Sequence, residues 1–181
     1  MPRDAAINTF LIELKNDVDK NAAFFFGLIR IRHERRWEWE DACPSGYTYR
    51  QTNRLCYKAF NRLSKYNDAK ATCSSYGGTL AMPRNAAIDN FLINLKNAVD
   101  LNTAFFFGLN CIGHERRWVW EDGTALGSFH PWGPREPSDS GGDQDCVEYV
   151  SATWYEAALR DTWNDMACAT PRKFICQVPP T

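Results

Sequence analysis

Long apolar runs are missing from this chain. Nothing approaches the ~18 to 20 residues that a helix needs to cross a membrane, so no span is expected. Charge of one sign is missing too. Lys and Arg number 21 against 22 Asp and Glu, a formal net charge of -1, which removes the usual basis for holding DNA, RNA or another polyanion. Cys-x-x-Cys does not occur although there are seven cysteines, so a zinc ribbon is not expected. That many cysteines without metal spacing read as disulfides made in an oxidising, extracellular compartment. The sequence has no Gly-x-Ser-x-Gly elbow, no Ser-His-Asp order and no phosphate loop, and His114-Glu115-Arg116-Arg117 lacks the second histidine of a zinc protease. An enzyme is therefore not expected. Asn-x-Ser/Thr is absent, and Met1-Pro2-Arg3-Asp4-Ala5 opens without a basic stretch and apolar core, so no signal peptide is read there.

What is present suits a globular fold. Hydrophobic residues make up 44% and charged residues 24% of 181, enough apolar material for one ordinary domain with some chain left over. Aromatics reach 14%, which suits a compact β-containing core or a binding surface that uses rings.

The surplus is a repeat. Residues 1–41 and 82–122 align at a constant offset with roughly three quarters identity, a match that stops at Asp41 and Asp122. In the second copy Pro83 is read as the opening of a helix, where its missing N–H costs nothing. Ile88, Phe91, Leu92, Leu95 and Val99 then recur at helical spacing. Phe105-Phe106-Phe107-Gly108-Leu109 reads as a buried strand, and Trp118-x-Trp120 as a half-buried one. Ser64 is read as the cap of an earlier helix carrying Tyr66, Ala69, Cys73 and Tyr76 and stopped by Gly77-Gly78. One helix and two strands bury too little surface to fold alone, so residues 1–42 are read as a partial, non-autonomous duplicate. Phe24–Phe26, Trp37 and Trp39 would then form an adhesive patch.

From Cys43 onward the order of landmarks is specific. Cys43-Pro44-x-Gly46-Tyr47 precedes Cys56-Tyr57 and Cys73; Phe107-Gly108-Leu109 and Trp118-x-Trp120-x-Asp122-Gly123 follow. Trp132, Glu136-Pro137-Ser138, Asp145-Cys146-Val147, Trp163-Asn164-Asp165-x-x-Cys168 and Phe174-Ile175-Cys176 complete it. Over residues 43–178 this resembles the C-type lectin-like domain in its long form. The resemblance implies an α+β fold in which two helices flank antiparallel sheets, with a long loop from about Gly123 to Asp145. It also implies the disulfides Cys43–Cys56, Cys73–Cys176 and Cys146–Cys168, leaving Cys111 free.

Calcium is a hard cation that takes six to eight oxygen ligands. Glu136-Pro-Ser-Asp-Ser-Gly-Gly-Asp-Gln-Asp145 is dense in oxygen donors and glycine; by composition alone it also reads as a solvated acidic turn. The resemblance implies that Glu136, Ser138, Gln144, Asn164 and Asp165 hold one calcium ion and, with it, the vicinal hydroxyls of a sugar. It further implies a cis peptide before Pro137. Ser138 and Gln144 depart from the family's usual amide and acid, leaving two formal negatives and hence a weak ion site. An auxiliary calcium site would use Glu115, Asp139 and Asp145, but its first position is Cys111, a soft ligand that calcium disfavours.

The expected function is that of a secreted, calcium-dependent lectin for mannose, fucose or N-acetylglucosamine, directed at microbial or host glycans in innate immunity. The alternative is a calcium-independent module of the same fold that binds a protein. Dimerisation is open by two routes, a disulfide through Cys111 or the N-terminal partial repeat, against Cys111 as a small buried hydrophobe. His33 and His114 read as surface residues; Trp132 and His130 read as rings for stacking on a sugar, with Trp132 equally readable as loop core.

Overall fold

In the computed structural model residues 28–30, 37–39, 43–114 and 116–180 are described, and the chain divides into two units, residues 1–42 with 181 and residues 43–180. The first unit contributes an antiparallel pair, β1 (Leu28–Arg30) and β2 (Trp37–Trp39), in the register Leu28↔Trp39. The corresponding residues of the second repeat, Leu109 and Trp120, pair in the same register. The helix expected for the first repeat and Phe24–Phe26 of its aromatic patch lie outside the described residues, while Trp37 and Trp39 fall in β2.

The second unit is built around one sheet. Its strands are β3 (Thr48–Arg50), β4 (Leu55–Ser64), β5 (Thr79–Leu80), β6 (Phe105–Asn110), β7 (Val119–Trp120), β8 (Cys146–Tyr149), β9 (Trp163–Met166) and β10 (Arg172–Val178). The order is β3-β4-β10-β6-β8-β9, with β5 on β10 and β7 on β6. The two chain ends of the domain are laced together, since β10 runs antiparallel to β4 from Arg172↔Ser64 to Val178↔Cys56. One pairing departs from the antiparallel expectation: β10 meets β6 in parallel, at Lys173↔Phe105 and Phe174↔Phe106. The sheet is therefore mixed, because the crossover that carries β10 home enters from the same end as β6.

Every residue of β6 is buried, as an apolar run between two neighbouring strands should be. The period of two sorts its side chains into two cores. Phe105, Phe107 and Leu109 join Tyr57, Leu92, Tyr149, Trp163 and Ile175; Phe106 joins Tyr66, Ala69, Phe174 and Cys176 on the other face. Helix α1 (Tyr66–Ser75) covers the second core and α2 (Ala86–Val99) the first, so the helices flank the sheet. Gly108 is required where the strand passes under the β5 segment, since a Cβ there would sit 2.7 Å from the Leu80 carbonyl oxygen.

Two helix starts differ from the expectation. Ser64 is the last residue of β4, paired with Arg172, and Lys65 occupies the cap of α1 with no side-chain bond. Pro83 lies before α2, whose cap is Asn85; its side chain accepts the Ile88 N–H at 3.0 Å. Asparagine can reach a free helical N–H and proline cannot, which moves the start. The stop at Gly77-Gly78 holds: the Gly78 N–H reaches the Cys73 carbonyl and the Gly77 N–H that of Ser74, with Gly77 at φ +77. Ile88 and Leu92 are buried and Phe91, Leu95 and Val99 half-buried, as the spacing requires. Cys43–Cys56, Cys73–Cys176 and Cys146–Cys168 are all bonded.

Candidate functional site

The long loop is fastened over Trp163. Trp132 forms a parallel bridge with it, through the Trp163 N–H to the Pro131 carbonyl (3.1 Å) and the Gly133 N–H to the Trp163 carbonyl (2.9 Å). Phe129, Trp132 and Trp120 pack their rings on the Trp163 indole, and Trp118 on that of Trp132. Trp132 is thus loop core. The Glu136 N–H then donates back to Gly133, and the Glu136–Pro137 peptide is cis.

These anchors bring Glu136, Ser138, Gln144 and Asp165 together. The Ser138 N–H donates to both Glu136 Oε2 and Asp165 Oδ1, each at 3.0 Å. The Asp139 N–H donates to Asp165 Oδ2 at 2.6 Å. Gln144 Oε1 accepts from the Ser138 hydroxyl (3.2 Å) and from the Ser140 N–H (2.6 Å). Asp165 is fully buried. Burial, and then the Asp165 carboxylate beside it, hold the Glu136 carboxyl above its ordinary pKa.

Asn164 goes elsewhere. Alternation along β9 sends Trp163 and Asp165 to one face and Asn164 and Met166 to the other. The Asn164 amide nitrogen donates to Glu148 Oε1 at 3.1 Å, and Arg172 pairs with the other oxygen of that carboxylate. Burial raises the Glu148 pKa, against the pull of Arg172 and Asn164. Neither Glu148 nor Arg172 stood out in the sequence. The signal available was Glu148 itself, an acid inside the otherwise apolar Cys146-Val-Glu-Tyr149.

At the auxiliary position the protein's own groups engage the acids. Cys111 Sγ donates to Asp145 Oδ1 at 3.2 Å, and Arg116 pairs with Asp139; Glu115 lies outside the described residues. Cys111 is 4% exposed, and burial followed by the Asp145 carboxylate pushes its thiol up to about 12. This is the setting of a small buried hydrophobe with a weak donor.

Among the described residues no three His, Cys, Asp or Glu side chains are placed to hold a metal together. The donors near Asp165 are two carboxylates, an amide carbonyl and a hydroxyl. That set fits a hard, weakly held cation and does not suit zinc or copper. The pair Glu136–Asp165 is the point of fit, since two carboxylates sharing one N–H leave negative charge for a cation to neutralise.

Two helices on either side of a disulfide-bonded mixed sheet, with a long loop folded over a buried tryptophan, define a class of recognition domain rather than an enzyme. The chain belongs to the C-type lectin domain family, whose model, described as "Lectin C-type domain", matches residues 61–178. It is 31% identical over 128 residues to collectin-10 of Xenopus tropicalis, covering 71% of this chain and 43% of that one. It is 34% identical over 140 residues to lactose-binding lectin l-2 of Anguilla japonica, covering 76% and 78%. In structure it is similar to human lithostathine, with a TM-score of 0.65 at 25% identity over 76% of this chain and 99% of that one. The chain spans less than half the length of the collectins it matches.

Proposed function

We propose that this chain is a secreted carbohydrate-binding lectin domain whose sugar site is organised by calcium, with Glu136, Ser138, Gln144 and Asp165 as the donor set. The observation that supports this reading is the crowding of Glu136 and Asp165 around one N–H, with Glu136 raised in pKa. Bound calcium would supply a Lewis-acidic centre able to take a sugar's vicinal hydroxyls. The chain's own contribution is to orient and to discriminate. Glu136 and the Gln144 carbonyl present acceptors, the Ser138 hydroxyl presents a donor, and Asp165 holds the loop backbone through two N–H groups. Asn164, expected in the set from the sequence, lies on the other face of β9 with its amide engaged by Glu148, so the four remaining residues carry the site.

With two formal charges in place of three, affinity for the ion falls toward the ~10⁻⁴ to 10⁻³ M of weak extracellular modules. Glu136 supports the mannose, fucose or N-acetylglucosamine class. The eel relative is named for lactose, so lactose is the sugar that contests this assignment. Three disulfides and the collectin likeness support an extracellular role in recognising microbial or host glycans.

The test is thermal unfolding of the chain in millimolar calcium and again with a chelator, followed by a sugar panel. Calcium at about 100 times its Kd adds about 2.7 kcal/mol, a rise of several degrees. Asp165→Asn should remove that rise and the calcium-dependent sugar binding. A cooperative transition that is the same in both buffers would refute the calcium reading and turn attention to a calcium-independent protein ligand.

A further inference from the structure

The face of β8 and β9 opposite Asp165 carries a cavity of about 300 Å³, at the small end of ligand-binding clefts. Its floor is the chain Asn164–Glu148–Arg172. Glu148 is 4% exposed and both of its oxygens are taken, one by the Asn164 amide and one by the Arg172 guanidinium. The floor is therefore polar but carries no net charge. It favours neither an anion nor a cation; it favours neutral hydroxyl groups. Ser151 adds a hydroxyl at the wall, and Met166 and Leu159 add apolar surface.

The mouth is aromatic. Trp154 lines the cavity while 42% exposed, and the Tyr155 ring, 76% exposed, lies 5.1 Å from it. The two rings pack on one another and form a small exposed aromatic patch at the cavity mouth. The segment that bears them is already fastened. The Thr153 hydroxyl donates to Asn102 Oδ1 at 2.9 Å, Arg160 Nε to the Trp154 carbonyl at 2.7 Å, and Asp161 pairs with the buried Lys96 at 2.7 Å. The pocket is thus formed before any ligand arrives.

A polar floor whose charges cancel, beside an exposed indole, matches a ring with an apolar C–H face and a hydroxylated edge. We propose that this cavity is a second saccharide subsite, distinct from the Glu136–Asp165 cluster and independent of calcium, in which one sugar ring stacks on Trp154 and its hydroxyls meet Asn164, Ser151 and Arg172. The proposal rests on the reading of the chain as a carbohydrate-binding domain, but not on its calcium dependence.

The experiment is a ligand-observed NMR titration of the full chain with methyl α-mannoside, N,N′-diacetylchitobiose and lactose, in chelator and in calcium. At least one sugar should bind in chelator. Trp154→Ala should weaken that binding by about tenfold, the worth of one aromatic contact, and Trp154→Phe by about twofold. Asp165→Asn should leave it unchanged. Absence of chelator-resistant binding for all three sugars overturns the subsite, and so does a folded Trp154→Ala variant that binds like the wild type. If Trp154→Ala does not fold, the wild-type titration in chelator and the Trp154→Phe variant decide. The two sites fail separately. Calcium-dependent binding without chelator-resistant binding refutes the subsite alone, and the converse refutes the calcium site alone.

Discussion

Asp89 shows how a buried polar group far from the loop sets the position of the site. It sits in the first turn of α2, and its Oδ1 accepts both the Tyr149 hydroxyl (2.7 Å) and the Trp163 indole N–H (2.9 Å). Trp163 is the residue on which the long loop rests and the immediate neighbour of Asn164 and Asp165. Replacing Asp89 with alanine leaves two donors in the core without partners. Each such group costs about 1 to 3 kcal/mol, partly offset by no longer burying a carboxylate, so the net loss should be about 3 kcal/mol. For a domain of this size that lowers the unfolding midpoint by about 10 °C. Asp89→Asn keeps an acceptor oxygen and should stay within about 1 kcal/mol of the wild type. Asn8 stands at the matching place in the first repeat.

The pH response separates charge from hydrogen bonding. Burial raises the Asp89 pKa above its ordinary value, outweighing the two donors that lower it. A carboxyl with a raised folded pKa opposes folding when ionised. The wild type should therefore gain stability relative to Asp89→Asn as pH falls from 7 through that folded value, levelling off below about 3.9. Circular-dichroism melts of wild type, Asp89→Asn and Asp89→Ala at pH 7 and at about pH 4.5 measure this. Alanine and asparagine variants that melt together at pH 7 would refute the role assigned to the two hydrogen bonds.

Three further expectations are simpler to check. The Cys73–Cys176 bridge closes 103 residues and Cys43–Cys56 only 13, so in the chain-entropy model their removal should cost about 4.7 and about 2.9 kcal/mol. Denaturant unfolding of the paired Cys→Ser variants would show that ranking, and equal losses would contradict it. Deleting residues 1–42 should leave residues 43–180 folded with an unchanged midpoint, because they form a unit with their own two cores; loss of the cooperative melt would show that the repeat is needed. Cys111 is buried against Asp145, so non-reducing electrophoresis should show a monomer, and a dimer band abolished by Cys111→Ser would reverse that reading.

Several features could be read without coordinates because they are local. The Phe105–Phe107 run is a buried strand, the Ile88–Val99 spacing is an amphipathic helix, and Gly77-Gly78 ends α1, each decided by residues within a few positions of one another. Helix starts were harder. Ser64 and Asn85 are both able to cap, and only the pairing of Ser64 with Arg172 shows which one is already engaged in a strand.

The order of cysteines and of short motifs was sufficient to recognise the family, because disulfide partners and loop landmarks recur in a set sequence along such chains. Composition was sufficient to expect no membrane span, and among the described residues no helix is long and apolar enough to cross one. The tertiary structure alone decided the rest. Lys96 is buried because Asp161 meets it, Asp89 because Tyr149 and Trp163 do, and Glu148 because Arg172 does, across 24 to 74 positions of chain. Asn164 and Asp165 are adjacent in sequence, yet the pleat of β9 sends them to opposite faces, one toward the Glu148 cavity and one toward Glu136 and Ser138. A one-dimensional pattern states which donors exist; which face each one serves depends on strand pairing and on partners that only folding brings within reach.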